Sequence, residues 1–179
     1  MTRFSLRFAA VCGGALLLAA CQTDYPRPLV GRVFVPTDRQ EAQLRDNLRG
    51  SNVTVTRERR GFLLDVPQEV FFPFDSAELR PEARNIIRSL ADNVLRRENM
   101  KVGIYGFTDT AGSEDYNRRL SGARADAVAR EMMRNGIDER RIITYGFGEE
   151  NLRVPTPDGV REPVNRRVEI FLEPLNTTG

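Results

Sequence analysis

The sequence predicts an α+β fold, a two-layer sandwich with two main helices on one face of a mixed β-sheet, and three observations carry that prediction. Two long segments place apolar residues at helical spacing. Several short segments run apolar or alternate at strand length, and the segments follow in the order strand, helix, strand, helix, strand, strand. Of the 179 residues, 40% are hydrophobic and 29% charged, the balance of a chain that buries a core beneath a solvated surface.

The N-terminal stretch stands apart from that pattern. Arg3 and Arg7 precede an uncharged apolar run from Phe8 to Ala20, which reads as a secretory signal peptide over residues 1–20 and is too short to span a bilayer. Leu18-Ala19-Ala20-Cys21 closes the run and looks like the lipobox of bacterial lipoproteins, with Cys21 as the lipidated first residue; the alternative is an ordinary cleavage site with an incidental Cys. Acyl chains, each buried CH₂ contributing about 0.8 kcal/mol, would hold such a protein on a membrane that it does not cross. Gln22 follows the Cys, and resemblance to lipoprotein sorting patterns implies the outer membrane, with the folded part in the periplasm. Residues 21–40 contain Pro26, Pro28 and Pro36 without periodic apolar positions and read as a tether.

Residues 41–66 follow as a short helix with Leu44 and Leu48 four apart, then two strands, Val53 to Thr56 and Gly61 to Val66, hinged around Arg57 to Arg60. From 67 to 175 the chain reads as one compact domain. Val70-Phe71-Phe72 is a strand candidate, and Asp75-Ser76 with Pro81 marks the approach to a helix over Pro81 to Arg97. Its apolar stripe is Ala83, Ile86, Ile87, Leu90, Val94 and Leu95. Val102 to Phe107 is a strand, and the turn Thr108 to Ser113 leads to a second helix over Tyr116 to Asn135. In that helix Leu120, Ala123, Ala127, Val128 and Met132 are expected to face inward, with Gly136 at the C′ position. Ile142 to Gly146 is a strand, and Val168, Ile170 and Leu172 alternate along a last one.

Composition narrows the chemistry. There is no His and there are only two Cys, so His-based dyads and triads, His-ligated metals and Cys₂His₂ or Cys₄ zinc sites are excluded, and no cofactor is expected. Removing residues 1–20 takes away two arginines and no acid, leaving a formal net charge of zero, so nucleic acid is not an expected partner.

The informative loop lies beyond the Val102 to Phe107 strand. Asn117, Ser121 and Arg124 stand at i, i+4 and i+7 and share a helix face, opposite part of the apolar stripe, with Asp109 in the loop that leads in. A carboxylate and a guanidinium with amide and hydroxyl groups between them suit an ammonium–carboxylate zwitterion. The same residues equally describe a turn-capping Asp and a solvated Arg in a surface salt bridge of at most about 1 kcal/mol. Catalysis is not expected, because Asp109, Glu114 and Asp115 sit in a polar loop with nothing apolar to turn one of them into a general acid.

Several motifs occur in order between Phe72 and Leu172: Phe74-Asp75-Ser76-Ala77, Gly106 to Gly112, Tyr116-Asn117, Leu120-Ser121 with Arg124-Ala125, Gly146-Phe147-Gly148-Glu149, and Asn165 to Ile170. Together they resemble the OmpA-like peptidoglycan-binding domain, and with the lipobox and tether the chain is similar to lipoproteins related to the peptidoglycan-associated lipoprotein. The resemblance implies that Asp109 holds the ammonium and Arg124 the carboxylate of diaminopimelate in the peptidoglycan stem peptide. It further implies that Thr108, Asn117, Leu120 and Ser121 line the pocket, and Arg166 and Arg167 match its closing motif; the equal alternative puts only Arg166 near the pocket, with Arg167 supporting the sheet. The partners implied are the stem peptide, the membrane through the lipid anchor, and envelope proteins; the alternative role is an envelope interaction module whose wall contact is secondary. Two positions depart from the family pattern. Phe107 stands where many members have His, and residues 151–164, with Pro155, Pro157 and Pro163, carry Val160-Arg161-Glu162 where a Gly-Arg approach is usual.

Overall fold

The computed structural model describes residues 36–95 and 100–175, and Gly31–Gly179 form one compact unit. The expected signal peptide, Cys21 and the tether up to residue 35 lie outside the described residues. Five strands make one open sheet in the order β1-β2-β5-β3-β4, where β1 is Thr54–Glu58, β2 Gly61–Pro67, β3 Met100–Phe107, β4 Ile142–Gly148 and β5 Arg167–Pro174. Only β3 and β4 run parallel; the other pairs are antiparallel, so the sheet is mixed, as expected. Among the described residues, no helix is long and apolar enough to cross a membrane.

Helix α1, Asp38–Asn47, starts earlier than its leucines suggest because Thr37 and Gln40 close a capping box. It buries Leu44 and Leu48. β1 and β2 form the expected hairpin, closing through Arg59-Arg60 with Glu58 opposite Gly61. β2 then pairs along its whole length with β5, from Phe62 opposite Leu172 to Pro67 opposite Arg167. Segment 41–66 is therefore continuous with the sheet of the following domain, and the boundary placed after Val66 runs through a strand.

The expected strand at Val70-Phe71-Phe72 is instead a single helical turn, α2, Gln68–Phe71, followed by an extended Phe72. The correction has a tertiary cause. Both edges of β5 are taken, by β2 and β3, so an apolar run there finds no ladder to join. The chain turns, with Gln68 N–H donating to Arg166 O at 3.0 Å, and drops both phenylalanines into the core with rings edge to face at 6.1 Å.

Helix α3, Pro81–Leu95, has Pro at its first position and buries Ala83, Ile87, Leu90, Ala91 and Val94; Ile86 is only partly buried. Helix α4, Glu114–Arg134, begins two residues before the expected start because the Ser113 hydroxyl accepts from Tyr116 N–H. It ends in a Schellman arrangement: Gly136 at φ 93° donates to Met133 O, and Ile137 donates to Met132 O. Its inward face corrects the expectation. Ala123 is exposed and Leu120 half-buried, whereas Asn117, Ser121 and Arg124 lie on the buried face with Ala125, Val128 and Met132. The buried stripe is thus polar over its first turns and mostly apolar beyond, with Glu131 buried there and paired with Arg84.

That helix lies directly on the parallel strands. A Cβ at Gly106 would meet Ser121 O at 2.2 Å, and one at Gly146 would meet Gly122 N at 2.3 Å, so only glycine permits this approach. The inward row Val55, Leu64, Ile170 and Ile104 joins the buried residues of the helices in one core. Because β2 contributes Phe62, Leu64 and Val66 to that core, a chain shortened to begin at Pro67 is expected not to melt cooperatively, each lost large side chain costing about 2–5 kcal/mol. Circular dichroism thermal melts check this; a sharp transition from the shortened chain would place these strands outside the folding unit.

Candidate functional site

A pocket of about 250 Å³ opens beyond the carboxyl end of β3, between the first turns of α4, the link from α2 to α3, and the chain leading into β5. This is where layered folds with parallel strands gather loops. Thr108, Asp109, Asn117, Leu120, Arg124 and Arg166 all line it. Ser121 does not: its hydroxyl accepts from Gly148 N–H at 2.8 Å and donates to Arg118 O at 3.0 Å, tying the end of β4 to α4. Arg167 also stays outside, lying over the Phe107 ring at 3.7 Å with its Nε donating to Glu169 at 2.8 Å. Phe107 in turn stacks on Phe147 at 4.9 Å, so the position that often carries His serves the far face of the sheet.

The loop holds its shape through Asp109. Its Oδ1 accepts from Ala111 N–H at 3.2 Å, closing the turn, while Oδ2 accepts from Glu162 N–H at 3.1 Å and Arg166 Nη1 at 2.7 Å. Asn117 Nδ2 donates to Asp109 O at 3.2 Å and to Glu149 Oε2 at 2.7 Å, fixing the loop to the helix. Thr108 is buried, and its hydroxyl has no hydrogen-bond partner among the described residues.

Arg124 is 2% exposed. Its Nε donates to Ser76 O at 2.9 Å and its guanidinium lies over the Phe72 ring at 5.7 Å, but no carboxylate pairs with it among the described residues. Burial pulls it down from the usual arginine range to about 10, with Asp75 and Asp109 acting to raise it and Arg166 to lower it, so at neutral pH it stays a cation.

The pocket lining also includes residues not assigned there from sequence, among them Gln68, Phe74, Asp75, Tyr116 and Arg161. Tyr116 donates its hydroxyl to Asp75, and that bond raises the Tyr116 pKa. Asp75 sits at φ 53°, in the left-handed region, and Phe74 beside it is 68% exposed. Arg161 lies over Phe74 at 5.1 Å. Asp75, Phe74 and Tyr116 belong to motifs visible in the chain, which was the available signal; Arg161 lies in the stretch that departs from the family pattern. That stretch wraps Thr110, whose hydroxyl donates to Pro157 O at 2.6 Å and whose carbonyl accepts from Gly159 N–H at 2.7 Å. Buried Asn165 then closes it, accepting from Arg153 and Val154 N–H at 2.8 and 2.9 Å. Among the described residues, no group of three or more His, Cys, Asp or Glu could hold a metal ion.

An open five-stranded mixed sheet with its helices and this end-of-strand pocket defines an OmpA-like α+β domain. The chain belongs to the OmpA family, whose model matches residues 71–166. It is 40% identical over 147 residues to the probable lipoprotein YiaD of Escherichia coli (strain K12), an alignment covering 82% of this chain and 67% of that one. It spans only 29% and 33% of two further curated relatives, both outer membrane proteins. Among solved structures, the cell wall anchor of the T6SS from Pseudomonas aeruginosa superposes with a TM-score of 0.65 at 24% identity, covering 76% of this chain and 97% of that one. The peptidoglycan-associated lipoprotein of Burkholderia pseudomallei does so with a TM-score of 0.53 at 24% identity, covering 61% and 89%. At these identities the structural likeness is one of fold.

Proposed function

We propose that this chain is an outer-membrane lipoprotein, anchored through Cys21, whose periplasmic domain binds peptidoglycan non-covalently through the diaminopimelate of the stem peptide and so links membrane to wall. The observation that carries this reading is Arg124: a buried cation, aimed at a pocket, with no carboxylate of its own and a carboxylate, Asp109, lining the same pocket. A ligand carboxylate completes a guanidinium that is almost wholly buried, which strengthens such a pair over one in water. Asp109 Oδ1 takes one backbone N–H and keeps acceptor capacity for an ammonium.

The wall as ligand is supported by the family and by the fold shared with a cell wall anchor and a peptidoglycan-associated lipoprotein, and the lipid anchor by the name of the E. coli relative. Many tethered copies facing a repeating polymer turn modest single-site affinity into firm attachment. The expected result of a sacculus pull-down is retention on diaminopimelate-containing wall and loss on wall that carries lysine instead. Asp109→Asn is expected to lose most of the retained protein, and equal retention on both walls would sink the reading.

A further inference from the structure

We infer that Arg161 is a specificity-determining residue that holds a second carboxylate of the ligand, so that the preferred peptide carries one ammonium and two carboxylates at this pocket. The inference rests on the diaminopimelate reading and extends it to a neighbouring part of the same peptide.

Charge balance motivates it. Three guanidinium groups, Arg124, Arg161 and Arg166, line the pocket against two carboxylates, Asp75 and Asp109. Arg166 is paired with Asp109, and Asp75 accepts from the Tyr116 hydroxyl. A zwitterion bound between Asp109 and Arg124 brings one charge of each sign and leaves the surplus positive charge where it was. Arg161 has no hydrogen bond or ion pair among the described residues, and its one recorded neighbour is the Phe74 ring. A second carboxylate removes the surplus.

Geometry supports the same assignment. The residues flanking Arg161 are tied to the pocket: Val160 N–H donates to Thr110 Oγ1 at 3.3 Å, and Glu162 N–H donates to Asp109 Oδ2 at 3.1 Å. The residue after it is therefore held by the acid that is to take the ammonium. The guanidinium rests on an aromatic face open to solvent, which restricts its rotamers before ligand arrives and leaves its donors free for an in-plane carboxylate. Arg161 thus differs from a freely solvated surface arginine: it lies in the pocket lining.

The test is calorimetric titration of the full chain in detergent with two synthetic glutamyl-diaminopimelate peptides, one with the glutamyl α-carboxylate free and one with it amidated. Wild type is expected to bind the free acid about three- to tenfold more tightly, the range for a partly exposed charge-assisted pair. Arg161→Gln is expected to bind both peptides with the strength of the amide, and Arg161→Lys to keep part of the preference. Arg161 is exposed, so these variants fold. Equal binding of both peptides by wild type would overturn the inference while leaving the diaminopimelate reading intact. Equal weakening of both by Arg161→Gln would overturn it too, by reducing Arg161 to a support for the loop. Binding of neither peptide by wild type would remove both readings.

Discussion

Replacing Arg124 with methionine is expected to weaken stem-peptide binding about a hundredfold while leaving the domain at least as stable as before. Two opposed costs meet in this residue. Holding a nearly fully buried guanidinium that burial has pulled to about 10 costs the fold about 3 kcal/mol. Because the folded-state value lies below the unfolded one, the penalty is in full force at neutral pH and is relieved only as pH rises above about 10. Methionine fills much of the same volume without the charge, and loses one charge-assisted hydrogen bond, from Nε to Ser76 O, worth about 2 kcal/mol. The melting temperature of the variant is therefore expected to stay level or rise. Binding, by contrast, loses the partner of a desolvated ligand carboxylate, a truncation that costs about 2–5 kcal/mol. Thermal melts and peptide titration on the same preparation check both halves. A variant that melts far below wild type would make Arg124 structural, and one that binds normally would move the site elsewhere.

Gly106→Val is expected to lower stability by about 3–5 kcal/mol, or to prevent folding, and to abolish binding with it. The added Cβ, whose position the backbone fixes, would sit 2.2 Å from the backbone oxygen of Ser121, and neither atom has a rotamer to change. The only relief is to lift α4 from the sheet, which opens the core around Val128 and Met132 and displaces Asn117 and Arg124 from the pocket. A loss of that size corresponds to a fall in melting temperature of roughly 10 °C. Gly122→Ala is the control. Nothing lies within 4 Å of a Cβ at Gly122, and exchanging glycine for alanine within a helix adds about 1 kcal/mol of stability. A Gly106→Val protein that melts with wild type would mean that α4 does not press on β3.

Most element types were legible in the chain because their causes are local. The alternation of Val168, Ile170 and Leu172, the stripe of α3 and the glycine that ends α4 each depend on residues within a few positions of one another. Starts were read late at both α1 and α4, since the caps, Thr37 with Gln40 and Ser113, are polar residues outside the apolar pattern. The inward face of α4 was misassigned at Ala123 because periodicity takes apolar residues as the buried ones, whereas Asn117, Ser121 and Arg124 make the buried face polar at this end.

Local pattern and motif together were enough for the class of fold, for the order of its main elements, and for naming Asp109 and Arg124 as residues to watch. What they left open depended on where distant parts of the chain meet. Val70-Phe71-Phe72 has the composition of a strand, yet turns into a helix because β2 and β3 already occupy both sides of β5. Segment 41–66 has no local mark of belonging to the domain, yet it supplies two of the five strands. The pocket itself closes through contacts between residues some fifty positions apart: Arg166 and Glu162 on Asp109, and Val160 on Thr110. Propensity and spacing act over one turn or one strand, whereas which guanidinium pairs with which acid, and which is left without one, follows from the path of the folded chain.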